Sequence, residues 1–171
     1  MPGQLVLRPI DVAVALRLAE VPEATYEALQ RDLRVSKSTA HESVRRLQAA
    51  GLLRPESRTI NRLCLLEFLE HGLRYVFPAA VSAPERGVPT AHTAKPLAAA
   101  LDAEDAVVWP SEHGHVLGHG ITPLYDRAPE LPGHCPSLYE LLTLTDALRV
   151  GRARERKLAL AALRERLPAA G

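Results

Sequence analysis

Residues 25–54 read TYEALQRDLRVSKSTAHESVRRLQAAGLLR, and this stretch decides the fold of the first third of the chain. Thr25 is a good N-cap for a helix over about 26–33 that buries Ala28 and Leu29. Arg34-Val35 forms a tight polar turn. Ser36 then caps a longer helix over about 37–50. Gly51 supplies the left-handed residue that ends that helix, and Leu52-Leu53-Arg54 continues as a short strand.

The longer helix has two distinct faces. Ala40, Val44 and Leu47 fall at i, i+4 and i+7, the spacing of a core stripe. Lys37, Ser38, His41, Glu42 and Arg45 gather on another face. Their types suit a major groove: Arg reaches guanine O6 and N7 with two bonds, Glu accepts from cytosine N4, and Ser bonds bases or phosphates. Specificity is therefore expected from Ser38, His41, Glu42 and Arg45. Phosphate anchoring is expected from Ser36, Lys37 and Thr39 at the positive helix N-terminus, and from Arg46, Arg54 and Arg58.

The segment VSKSTAHESVRRLQAAGLL, residues 35–53, resembles the recognition helix and following strand of winged helix-turn-helix regulators of the MarR and IclR kind. The residues that carry the resemblance are Ser36, Lys37, Ser38, Thr39, Arg45, Arg46, Leu47, Gly51 and Leu52. It spans about residues 9–62, roughly a third of the chain. It implies a bacterial protein that binds double-stranded DNA, usually as a homodimer on a palindromic site. One departure is visible: residues 55–61 are too few for a wing with long strands.

Outward from this core, Pro9 opens a helix over 10–20 with an apolar stripe through Ala13, Val14 and Leu18, widened by Val12 and Leu16. Asn61 caps a helix over 62–71, expected to turn Leu63, Leu66 and either Phe68 or Leu69 inward. Residues 73–77 have strand composition, and residues 79–94, rich in Pro, Gly and small side chains, read as a loop or linker. A strand at 106–109 is expected to form a hairpin with 116–121. Pro136 starts a helix carrying Leu138, Leu141, Leu142, Thr145 and Leu148, and a last helix over 152–167 carries Leu160, Leu163 and Leu167. The expected fold is mainly α with a small β component (α+β). A winged helix-turn-helix domain over residues 1–78 precedes an α+β partner or dimerisation region over 79–171, which ends in two helices.

Composition sets the bounds. The chain has 171 residues, 47% of them apolar but only 4% aromatic, so its core rests on Leu, Val and Ala, which favours helices. Arg outnumbers Lys 18 to 3, as in GC-rich bacterial genomes. The net charge is only +1, yet residues 31–62 hold eight Arg and Lys against three acids. Local fields, rather than the total, steer a polyanion. A second basic cluster comprises Arg149, Arg152, Arg154, Arg156 and Lys157.

Cys64 and Cys135 form no CxxC pair and read as ordinary thiols of a reduced cytoplasmic protein. The start, MPGQLVLRPID, lacks the pattern of a secretory leader, and no apolar run suits a membrane span. Enzyme signatures such as HExxH, GxSxG and GxGxxG are absent, so no catalytic residue, cofactor or metal is expected. His113, His115 and His119, with His134 and Cys135, have ligand chemistry but match no closed metal spacing, and a polar hairpin is the ordinary reading. The expected function is a cytoplasmic transcriptional repressor. The alternative is an antitoxin-like or adaptor protein whose second half binds a partner protein.

Overall fold

The computed structural model describes residues 4–101 and 104–167. Helix α1 spans Pro9–Glu20 and is buried around nearly its whole circumference, from Val12 to Leu16 and again at Leu18 and Ala19. A helix apolar on all sides belongs inside a fold. It accordingly contacts α2 (Tyr26–Leu33), α3 (Lys37–Ala49) and α6 (Pro136–Val150). The caps form as the sequence predicts. Thr25 Oγ1 accepts from the Ala28 amide at 3.1 Å, and Ser36 Oγ accepts from the Thr39 amide at 3.0 Å. Gly51, at φ +75°, takes the left-handed conformation after α3.

Beyond Gly51 the chain makes a very short hairpin. Leu53 and Ile60 form a single antiparallel bridge, flanked by bonds from the Arg54 amide to the Thr59 carbonyl and from the Asn61 amide to the Leu52 carbonyl, both 2.9 Å. Asn61 then caps α4 (Arg62–His71).

Several expectations are corrected by packing. In α4 Leu69 turns inward as expected and Leu66 is half-buried against the core, but Leu65 takes the buried place expected of Leu63, which is 68% exposed. The row Leu65, Leu69, Leu73 continues at i, i+4 and i+8 through a further short helix, α5 (Leu73–Val76), where a strand was expected. That row overrides the local strand propensity of Tyr75, Val76 and Phe77.

Residues 81–89, expected as loop, form strand β1 (Val81–Pro89). Its residues 81–86 are all exposed, so no alternation marks it in the sequence. Its Gly87 marks close approach, because a Cβ there would lie 2.2 Å from the Trp109 carbonyl oxygen. Strands β2 (Val107–Pro110) and β3 (Val116–Ile121) occur where expected but do not make a simple hairpin. Both run antiparallel to β1, β2 opposite residues 87–89 and β3 opposite residues 81–87. They meet each other in parallel at Val107–His119 and Val108–Gly120, so the small sheet closes on itself.

Helix α6 organises the second half. It is buried from Leu141 to Arg149 and contacts α1, α4, α5 and α7 (Ala153–Arg166). Its Asp146 is a hub: Thr90 Oγ1 donates to it at 2.8 Å, Trp109 Nε1 at 2.6 Å and Arg149 Nη1 at 2.8 Å. Arg149 also donates to the carbonyls of Phe77 and Thr122. It is therefore a buried strut, not a member of the exposed basic cluster in which the sequence grouped it. The leucines of α6 and α7 pack within the chain: Leu138, Leu141, Leu142, Leu148 and Leu163 are all buried. The architecture is mainly helical with one small sheet.

Candidate nucleic-acid interface

Helix α3 presents the two faces its sequence implies. Ala40, Val44 and Leu47 are buried against α1 and α2. Lys37, Ser38, Glu42 and Arg45 are exposed on one side of the same helix. His41 belongs to that side but is half-buried, because its imidazole stacks on Tyr26 with ring centroids 3.6 Å apart. The Arg58 guanidinium lies 4.3 Å from the same ring centroid. Tyr26 thus fixes a row of His41, phenol and Arg58 at the edge of α3.

The phosphate-anchoring set divides. Ser36 is exposed and Thr39 half-buried, but their hydroxyls already bond each other at 2.9 Å while Ser36 caps the helix. Lys37 and Arg54 are exposed. Arg58 is turned back: its Nη2 donates to the Ala24 carbonyl at 2.9 Å and its φ is +51°. It braces the short hairpin against the start of α2 instead of reaching outward.

Arg46 is a plain correction. It is only 6% exposed, and its Nε and Nη2 grip the two carboxylate oxygens of Asp11 at 2.7 Å each. Ser43 Oγ donates to the same carboxylate. The bonds it donates to Asp11 hold the Arg46 guanidinium above its ordinary pKa. Arg46 therefore ties α3 to α1 and offers nothing to a phosphate. A helical repeat places Arg46 one step round from Arg45, and only the distant Asp11 determines that it points inward.

Two neighbours of α3 escaped the sequence reading. The arm at residues 4–8 runs beside Glu42 and Arg45, and the groove between them holds about 470 Å³. From the second half, residues 124–127 come alongside Val35 and Thr39 at the start of α3. His134 Nε2 donates to the Arg31 carbonyl at 2.6 Å, and Glu130 pairs with Arg34. These contacts join residues far apart in the chain, and no local pattern announces them.

The histidine array is dispersed. His113 and His115 are exposed, and His119 Nδ1 bonds the Ser82 carbonyl at 3.0 Å. Among the described residues no group of three His, Cys, Asp or Glu side chains is placed to hold a metal ion. Among the described residues no helix is long and apolar enough to cross a membrane. No family model, curated protein or solved structure matches this chain.

Proposed function

We propose that the protein is a sequence-specific DNA-binding regulator, a transcriptional repressor of the bacterial cytoplasm, with α3 as its reading helix. The observation that carries this reading is the outward face of α3, where Lys37, Ser38, Glu42 and Arg45 are all exposed over a buried Ala40-Val44-Leu47 seam. A helix N-terminus flanked by a polar cap and followed by exposed Arg and Glu matches the chemistry of base edges in the major groove. The working unit is proposed to be a homodimer, one copy to each half-site.

The test is fluorescence anisotropy with a labelled duplex from the protein's own promoter, titrated at several salt concentrations. Salt-sensitive binding is expected. Arg45→Ala should cost about 1–3 kcal/mol of specific binding and relax one base position. Absence of salt-sensitive binding by the native protein would sink the proposal.

A specific observation favours a second reading, the adaptor or antitoxin-like protein. A cleft of about 500 Å³ beside α5 and α7 is lined by Leu148 and Leu160 and by Arg74, Tyr75, Arg156 and Lys157, with His71 and the single acid Glu70, which pairs with Arg164. Tyr75 there is 75% exposed. Such a cleft suits an acidic, amphipathic protein segment. Stable co-purification with the product of an adjacent small gene, lost in Tyr75→Asp, distinguishes this reading.

A further inference from the structure

Glu130 is held by two guanidiniums at once. Arg34 Nη1 reaches one of its carboxylate oxygens at 2.6 Å, and Arg127 Nη1 reaches the other at 2.7 Å. Both cations hold its carboxyl below the usual carboxylate range. The three side chains remain open to solvent, Arg34 at 51%, Arg127 at 59% and Glu130 at 34%. The place matters: Arg34 ends α2 immediately before α3, and residues 124–127 share a cleft of about 370 Å³ with Arg8, Val35 and Thr39. A polar brace keeps the segment there, because His134 bonds the Arg31 carbonyl.

We infer that the DNA-binding face continues from α3 onto the second half of the chain, where Arg127 and Arg34 contact backbone phosphates beside the start of α3 and Glu130 tempers that contact. The inference rests on the reading of α3 proposed above. When the N-terminal turn of a recognition helix enters the major groove, the surface flanking that turn faces the sugar-phosphate backbone. A guanidinium binds phosphate in the same forked geometry as carboxylate, so an Arg now paired to Glu130 can exchange one oxyanion for another. An exposed ion pair is weak, and that exchange costs little.

Charge favours the same partner. Arg8, Arg34, Lys37 and Arg127 surround the start of α3, against Glu27, Asp126 and Glu130. In the short hairpin Arg58 is engaged with Ala24 and Tyr26, while Arg54 is exposed. Glu130 then acts as an internal competitor. It lowers affinity for all DNA alike and leaves base preference untouched.

The experiment uses the full chain with two labelled duplexes, the promoter fragment and a scrambled duplex of equal composition. Arg127→Ala should weaken both to the same extent and flatten the logarithmic salt dependence by about one unit, with base preference unchanged. Arg127→Lys should restore the slope. Glu130→Gln should tighten both duplexes several-fold and steepen the slope. Circular dichroism melts of each variant verify that the fold is intact; the Arg127 side chain is exposed, so that variant alone decides the matter. If Arg45→Ala loses specific binding while Arg127→Ala keeps the native slope, this inference is overturned and the reading of α3 stands. If the native protein shows no salt-sensitive binding, both fall.

Discussion

Arg45 and Arg46 are adjacent in the sequence and alike in chemistry, yet their surroundings assign them different work. Arg45 is exposed beside Glu42. Arg46 is enclosed with a fully buried Asp11, its fork matched to both carboxylate oxygens. Removing one partner of a buried pair leaves the other charge uncompensated, which costs far more than the pair itself contributes. Arg46→Ala should therefore destabilise the fold by about 3–5 kcal/mol in urea unfolding. Arg45→Ala should stay within about 0.5 kcal/mol of the native stability. A second residue-scale expectation concerns acid. Burial opposes ionisation of Asp32, but bonds from Arg17 and Arg31 outweigh it and hold its carboxyl below the ordinary value. A depressed carboxyl stabilises the fold above its unfolded pKa of about 3.9, and that contribution is lost as pH falls through the folded value. Asp32→Asn should accordingly flatten the decline of stability below about pH 4, measured by urea melts across that range. An unaltered decline would show that Asp32 does not contribute.

At the scale of elements, capping and backbone conformation carry the predictions. Ser36→Ala should cost about 1 kcal/mol, because the Thr39 amide loses its acceptor, whereas Ser36→Gly should cost only a few tenths. Gly51 has open space where a side chain would go, so any cost of Gly51→Ala comes from the backbone at φ +75° alone, about 1–2 kcal/mol. Thermal unfolding of the three variants measures both effects. These same local signals explain which elements were legible. Thr25, Ser36, Asn61 and Gly51 act on their own neighbours, and α2, α3 and α4 form where those residues place them. The exposed face of α3 was legible for the same reason, since a helical repeat and a buried seam fix it. The rest depended on distant partners. Strand β1 carries two prolines and six exposed residues in succession, and it is a strand because β2 and β3 pair with it. The inward turn of Arg46, the stacking of His41 on Tyr26 and the approach of Arg127 to α3 all arise from contacts across the fold.

At the scale of the whole molecule, the boundary expected at residue 78 falls between α5 and β1, but the packing does not stop there. Buried side chains of α1, α4 and α6 belong to one continuous apolar cluster. Asp146, through Thr90, Trp109 and Arg149, also ties the sheet, α6 and the Phe77 carbonyl together. A shared core of this kind transmits damage in either half to the other, and it makes unfolding all-or-none. The single tryptophan offers the test, because Trp109 lies in the second half and is 1% exposed. Urea unfolding followed by Trp109 fluorescence and by helical circular dichroism should give coincident transitions. Leu29→Ala, a cavity at a fully buried site in α2, should cost about 2–5 kcal/mol and shift both signals together. Two separated transitions, or a Trp109 signal indifferent to Leu29→Ala, would mean that the halves fold independently. Coincidence would also bear on DNA recognition, because a rigid joint between α3 and residues 124–134 is what lets Arg127 hold a fixed place beside the reading helix.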